Sequence, residues 1–564
     1  MSDALQTYDA DVIVIGAGPI GLTTGCALRH HGVDCLMLEQ RTEAKSFSRA
    51  NNVWARPQEL LDSIGLRDAI AKQAYPVAKI NSIFFGKPGE PIAVDEVSSP
   101  FARVLYSGQD VIEKTLTDAY DDRGGRSTHG VKVTEVAQDD DGVTLGYTED
   151  PEGKGPVRHL RCRYLVGADG NEGLVRKSIS DEHDVESFEG RINRQVDARL
   201  SWKRPVDPDQ LWFFYFETGF CGVMPVWGGY HRIFVVMDDE GVPDRDPTLD
   251  EMIALAREVT GDPSLNLTDP IWFSRNRFKH GVVPHYAKDR ILLAGDAGHF
   301  TQPIGGQGMN AGFHDAVELA WRLAMTLNGA AAPVVLGSYD GERQGERKRL
   351  DEQQAKAFRQ LMYRGRVADA ALEAASRALP NMGSLIQGTN DLQQISVSYP
   401  NSLLNSDHMG LLDKVLHRGE PRAGDRAPDA TVRLVDGSTG TLFHHIYNAD
   451  DHSWGWALLA FDGAEDGAAG RLADVIGSVA GWSHVRPRLV VANPASEPAS
   501  IGVTLFDLDR HAHRAFGLDG RPALVLIRPD GHIAFRAPTD QAALLVDYCE
   551  ETFGKIADSA SKRR

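Results

Sequence analysis

The 564-residue chain carries 79 acidic against 60 basic side chains, a formal charge of −19, with 42% hydrophobic and 25% charged residues. That balance describes a globular protein of roughly two to four domains, and it removes the electrostatic footing for nucleic-acid binding. No apolar run of about 18 residues and no basic-then-apolar leader is visible, so neither a membrane span nor an export signal is expected; five scattered cysteines without C-x-x-C fit neither a disulfide framework nor a zinc site, and point to a reducing cytoplasm.

The first element is an apolar run, Val12 to Ile15, expected as a buried parallel strand. It leads into Gly16-Ala17-Gly18-Pro19-Ile20-Gly21, which fits G-x-G-x-x-G and opens a helix to about His30. Gly16 permits the tight turn, Gly18 lets a pyrophosphate lie against the backbone, and Gly21 lets helix and strand pack closely. A second strand, Cys35 to Leu38, ends at Glu39, where a ribose-binding carboxylate belongs. These features together predict a bound dinucleotide; an ordinary βαβ turn with incidental glycines is the competing reading. Ser48, Arg49 and Arg56 then precede a helix from about Pro57. An arginine here either neutralises cofactor phosphates or is a solvated surface residue. Residues 109–120 read as a helix with Gln109 at its start, and 131–148 as a hairpin around Asp140-Asp141-Gly142. Residues 160–179 repeat the strand-to-turn pattern. Asp169 and Arg176 suit a dinucleotide's hydroxyls and phosphates, or form a structural turn with a surface ion pair.

Residues 181–280 are rich in aromatic strand-like runs. They predict an antiparallel sheet walling a pocket, with Phe213, Tyr215, Met224 and Trp227 as substrate-facing residues. Because neighbouring strand residues face opposite sides, one of Phe213 and Tyr215 is expected to dominate at the pocket. Tyr215, His231 and Asn51 are loose candidates for a base. The chain then returns to the nucleotide-binding unit at Gly281. A strand, Ile291 to Ala294, turns through Gly295 and Asp296 into a loop with Gly305, Gly306 and Gly308. A helix follows, with Phe313, Val317, Ala320, Ala324 and Leu327 on one core-facing side. Its unpaired N–H groups favour an anion or charge developing on a cofactor. Residues 329–400 read as helical, with the basic run Arg347 to Arg349 on a solvated face, and 398–430 as a linker. A last α/β unit follows, with strands near 431–435, 457–462, 487–492, 523–528 and 532–536.

Three signatures in this order, GAGPIG with Glu39, GADG…VR at 167–176 and GD…P-x-GGQGMN at 295–310, resemble the class A flavoprotein monooxygenases, the para-hydroxybenzoate hydroxylase and phenol hydroxylase group, over about residues 9–400. The last unit resembles the thioredoxin-like C-terminal domain of many such hydroxylases, without a redox cysteine pair. The resemblance implies an α/β fold: a Rossmann-type FAD-binding domain in 1–180 and 281–400, an inserted antiparallel-sheet substrate domain in 181–280, and a C-terminal thioredoxin-like α/β domain in 401–564. It implies non-covalent FAD, NADPH or NADH bound only transiently, O2, and hydroxylation of a small phenolic aromatic through a flavin C4a-hydroperoxide.

The same resemblance implies roles by position. Gly16, Gly18 and Gly21 cradle the FAD pyrophosphate and Glu39 binds the adenosine ribose. Arg49 and Gln109 lie near the pyrophosphate and ribityl chain, and Asp296 holds that chain. Gly308, Met309 and Asn310 present N–H groups to the flavin pyrimidine ring. Asp169 belongs to a motif linked to both FAD and NAD(P)H. Pro303 borders flavin and substrate and, with Tyr215, is the catalytic expectation. Pro19, Ile20, Gln40 and Gly306 complete the cofactor-binding set. A homodimer is expected, with no metal, nucleic acid or membrane partner. The alternatives are Baeyer–Villiger or epoxidising chemistry on a larger aromatic or polyketide, and a flavin-bound sensor whose last unit binds a partner.

Overall fold

The computed structural model describes residues 7–43, 50–179, 185–301, 304–362, 390–410, 419–447, 455–465, 468–492 and 502–555. Its first unit is an eight-stranded mixed sheet. Five parallel strands run side by side in the spatial order Arg126–His129, Cys35–Glu39, Ala10–Ile15, Arg158–Gly167 and Ile291–Leu293. Val12, Ile13 and Val14 are fully buried, as the middle of a sheet covered on both faces requires. The register pairs Ile15 with both Leu38 and Gly167, and Gly167 with Leu293. The turns that follow these four strands therefore leave one carboxyl edge, the edge at which parallel sheets bind ligands. The hairpin Lys132–Gln138 and Val143–Thr148 extends the sheet beyond Arg158–Gly167.

The helix Pro19–His30 crosses the long helix Gln307–Leu327 closely, because Ile20 fills the space left by Gly295 and Gly312. The long helix was expected to bury one face. It buries nearly all of itself: Asp315, Glu318 and Arg322 have no exposure, because the C-terminal unit covers the remaining sides.

The second sheet runs Asn266–Asn276, Arg191–Ser201, Tyr230–Asp238, Gly219–Val226, Gln210–Phe216 and Lys79–Phe84. It is antiparallel except for Lys79–Phe84, which lies parallel to Gln210–Phe216. This strand comes from the first part of the chain and was not foreseen, since a six-residue run broken by the turn at Phe85 and Gly86 carries little periodicity. Phe214 packs beneath the helix Leu249–Thr260 with Trp212 and Phe216. Phe213 and Tyr215 lie on the opposite face together, ring centroids 6.4 Å apart. The expectation that one of them would dominate is thus corrected: they are two residues apart, and a period of two puts them on one side.

The C-terminal sheet centres on Trp456–Phe461, parallel to Val485–Val491 and antiparallel to Ala523–Ile527. An unforeseen strand, Val503–Phe506, lies beside Val485–Val491. The segment read as a linker is packed where it is described. Ser406–Asp407 pairs with Ile533–Pro538, Tyr399 is buried, and Arg426 binds Glu59 at 2.8 Å. Glycine, proline and aspartate report a lack of periodicity, not a lack of contacts. The helix Pro333–Met362 also departs from expectation, since Arg347 in its basic run is fully buried. No helix among the described residues is long and apolar enough to cross a membrane.

Candidate cofactor and substrate site

The first glycine turn separates into fold and opening. A methyl at Gly16 would lie 2.4 Å from the Ala168 carbonyl oxygen, and one at Gly21 only 1.9 Å from that of Gly16. A methyl at Gly18 would meet nothing within 4 Å. Gly18 is the N-cap of Pro19–His30, which has Pro19 at its start and no capping side chain. Its first N–H groups therefore border an open space of the kind an anion fills.

Glu39 shapes the same turn. Its Oε2 accepts from the Ala17 N–H at 2.6 Å, and its Oε1 accepts from Arg41 through the backbone N–H at 2.8 Å and Nε at 3.0 Å. Burial pushes the carboxyl up, but the Arg41 guanidinium and the two backbone N–H groups outweigh it, so Glu39 is held below its ordinary range and stays charged. The longest of its contacts is from Arg41 Nη2 at 3.3 Å. Arg41 also reaches Glu113 at 3.6 Å. Glu113 accepts from Gln109 Nε2 at 2.8 Å, and Gln109 Oε1 accepts from the Ala50 N–H at 3.1 Å. Glu39 and Gln109 are thus brought together. Gln40 is not: its amide donates outward to the Pro151 carbonyl at 2.7 Å. Arg49 and Pro303 lie outside the described residues.

Asp169 serves its own turn first. Its Oδ2 accepts from the Val175 N–H at 3.0 Å, and a methyl on Gly173 would sit 2.1 Å from its Cγ. Burial holds the carboxyl above its ordinary range, and Oδ1 has no hydrogen-bond partner among the described residues. Arg176 is buried and donates to the Asn171 carbonyl at 3.1 Å. Arg56 faces neither phosphate nor water: fully buried, it pairs with Glu59 at 2.8 Å and with the Tyr447 hydroxyl.

The second glycine loop is held from behind and open in front. Asp315 accepts from the Gly295 N–H at 2.8 Å and from Arg343 Nε at 2.7 Å. Asp296 itself is exposed in a single 3-10 turn, its carboxylate available to a ligand hydroxyl. Asn310 also works through its side chain. It accepts from the Trp54 N–H at 2.8 Å and donates to the carbonyls of Asn52 at 3.0 Å and Gly306 at 2.6 Å. Trp54 Nε1 in turn donates to the Gly305 carbonyl at 2.7 Å. The loop is clamped while the N–H groups of Gly308 and Met309, in the first helical turn, have no partner inside the helix.

The aromatic sheet face meets the segment that Asn310 holds: the Met224 sulfur accepts from Asn51 Nδ2 at 3.6 Å, next to Asn52. Phe213 and Met224 pack around Trp54, Tyr106 and Leu211. Tyr215 stacks on Phe84 at 4.7 Å and 6°. Trp227 stands apart at the rim, 5.1 Å from Tyr75. His231 pairs in register with Ala198, on the helix-covered side, and burial pushes its imidazole down to about 4; it is no base for this pocket. Trp54, Tyr106 and Asn52 were not foreseen, because no local motif marks them. An open glycine turn at a helix start, an exposed carboxylate at Asp296 and a clamped second helix start on one sheet edge fit a flavin dinucleotide.

A family profile described as "FAD binding domain" matches residues 9–353. The chain is 29% identical to 12-dehydrotetracycline 5-monooxygenase/anhydrotetracycline 6-monooxygenase of Streptomyces rimosus subsp. rimosus, over 97% of this chain and 99% of the relative. It is 25% identical to pentachlorophenol 4-monooxygenase of Sphingobium chlorophenolicum, over 96% of each. The solved ternary complex of aklavinone-11 hydroxylase with FAD and aklavinone shares the fold, with a TM-score of 0.75 at 24% identity over 98% of this chain and 100% of that one.

Proposed function

Since the chain belongs to the FAD-binding domain family, we propose that it hydroxylates a phenolic aromatic compound at the meeting of the glycine loop and the aromatic sheet face. It is an FAD-dependent aromatic monooxygenase that uses NADPH or NADH and O2. Bound FAD supplies the chemistry: it takes two electrons from the nicotinamide and activates oxygen for transfer of one atom to the ring.

The chain's own residues bind, orient and exclude water. Gly16, Gly18 and Gly21 with Pro19 and Ile20 form the pyrophosphate turn, Glu39 and Gln109 border it, and Asp296 accepts from a ribityl hydroxyl. Gly308 and Met309 offer N–H groups to the pyrimidine edge. Phe213, Tyr215 and Met224 keep the substrate side dry, which oxygen transfer needs if peroxide is not to be lost to water. The observation that carries this reading is the Asn51–Met224 contact, which ties the aromatic face to Asn51, beside Asn52, whose carbonyl accepts from Asn310 at the helix start. Five buried, unpaired cysteines support a reducing compartment such as the cytoplasm, and a homodimer is the assembly carried over from the family.

The test is a panel of phenols screened for stimulated NAD(P)H oxidation, with mass analysis of the product. One added oxygen on an intact ring is expected, with yellow flavin released on denaturation. Oxygen inserted into the ring would replace hydroxylation by the Baeyer–Villiger reading. Flavin without any stimulated oxidation would favour a sensor.

A further inference from the structure

Arg347 is fully buried. Its Nη2 donates to Thr301 Oγ1 at 3.1 Å, while Nε and Nη1 have no hydrogen-bond partner among the described residues. Among the described residues no ion pair joins it to a carboxylate; Asp315 is engaged by Arg343 at 2.7 Å, and Asp351, one turn along, by His280 at 2.8 Å. A guanidinium keeps its charge, and burying one without a counter-charge is costly. That cost is offset if negative charge comes to it.

Its hydrogen bond to Thr301 shows where. Thr301 lies beside Gly308: a methyl on that glycine would be 3.4 Å from Thr301 Cβ. Thr301 Oγ1 is also 2.9 Å from His299 Nδ1. A hydroxyl that accepts from Arg347 can donate its proton to Nδ1, which leaves the imidazole proton on Nε2, 3.4 Å from Asp315. Burial first, and the Arg347 charge next, hold His299 below its usual range despite Asp315. The imidazole is therefore neutral, and the buried Tyr286 phenol is neutral as well; Asp315, Asp340 and Arg343 also face Tyr286, and Asp296 acts on His299. The guanidinium stands behind the helix start with no ion-pair partner among the described residues.

We propose that Arg347 is the fixed counter-charge for the electron-rich reduced flavin ring, a positioning residue that touches no reacting atom. It adds a full charge behind the partial positive charge of the Gln307–Leu327 helix start, in a medium where such a charge acts strongly. The inference rests on the proposed placement of the pyrimidine edge at Gly308 and Met309.

The two-electron midpoint potential of bound FAD is measured against a reference dye in holoenzyme of the wild type, Arg347→Met, Arg347→Lys and Gly308→Val. Arg347→Met should lower it by about 30 mV or more, a tenfold shift in the ratio of reduced to oxidised flavin, and Arg347→Lys should keep most of the native value. An unchanged potential in Arg347→Met, or an equal fall in Arg347→Lys, overturns the assignment. If the Met variant does not fold, the wild type decides by spectral titration: its reduced flavin should ionise at lower pH than free reduced FAD, and equal ionisation overturns the proposal. Gly308→Val separates the two readings, since a side chain there must disturb the flavin spectrum if the ring lies against it. A native spectrum in that variant shows that the placement has failed, and this inference with it.

Discussion

Replacing Gly18 and Gly21 separately with alanine asks whether the first glycine turn is built for a ligand or only for the fold. At Gly21 the added methyl would sit 1.9 Å from a backbone carbonyl oxygen that cannot move without the strand it belongs to. Helix Pro19–His30 would have to lift by more than an ångström. Overpacking costs about 1–3 kcal/mol and sometimes more, so about 3 kcal/mol of lost stability is expected. At Gly18 the backbone is ordinary, φ −77° and ψ −179°, and the methyl meets nothing. Alanine caps a helix less well than glycine, but it also reduces the freedom of the unfolded chain, by about 0.4–1 kcal/mol. The two nearly cancel, and apo stability should change by less than about 1 kcal/mol. The methyl does fill the space assigned to the pyrophosphate, so FAD affinity should drop at least tenfold, about 1.4 kcal/mol. Urea unfolding of the apoprotein and quenching of flavin fluorescence on titration measure the two quantities independently. Native FAD affinity in a folded Gly18→Ala variant would refute the placement of the pyrophosphate, and native stability in Gly21→Ala would refute the packing argument.

Asp296→Ala should weaken FAD binding by about 1.5–3 kcal/mol, the worth of a hydrogen bond to a charged group, with little change in stability because the side chain is exposed; unchanged affinity sinks the role. Phe213→Ala and Tyr215→Ala should both raise hydrogen peroxide formed per NAD(P)H oxidised, since both rings share the pocket face; full coupling in both places the wall elsewhere. Cys549→Ser should leave turnover intact, for the thiol is buried and burial pushes it up to about 12; a large loss of turnover in a folded variant would reveal thiol chemistry. His513 is buried between Asp507 at 2.8 Å and Asp462 at 3.1 Å; burial pulls its pKa down, but the two carboxylates outweigh it and hold it above the usual histidine range. Its contribution to stability is complete below about pH 6.5, the unfolded value, and is lost as pH rises through the raised folded value. His513→Gln should flatten that part of the urea-unfolding profile, and an unaltered slope would contradict it.

What could be read from the sequence was what local geometry demands. A turn that must place one backbone against another needs Gly16 and Gly21, and a strand buried on both faces needs a run such as Val12 to Ile15. Both demands fall within a few residues and leave a signature. The burial of a charge does not. Arg322 lies 208 positions from Asp530 yet 3.7 Å from it in space, and nothing near Arg322 announces that partner. Arg347 looked solvated for the same reason. Asp169 was legible as a turn acid, while the share of its carboxylate spent on the Val175 N–H depended on a helix start that sequence places only within a residue or two.

The buried charges also explain what the last unit does for the site. Arg528 grips Glu342 with two bonds, at 2.9 and 3.0 Å, and Asp530 at 2.6 Å. Glu342 accepts from Arg322 at 2.5 Å, and Asp530 from Trp321 Nε1 at 3.1 Å. Both partners on the long helix lie on its course from the glycine loop. Pairs of this kind add little net stability, since desolvation offsets most of their attraction, but losing one partner strands a buried charge at a cost of about 3–5 kcal/mol. Their effect is directional: they hold Gln307–Leu327 in one position along its axis. Asp315 on the same helix holds Gly295, and Asn310 holds Gly306 and Trp54. The C-terminal unit thus fixes the glycine loop from behind, through packing and charge, and needs no cysteine pair to matter to the flavin site.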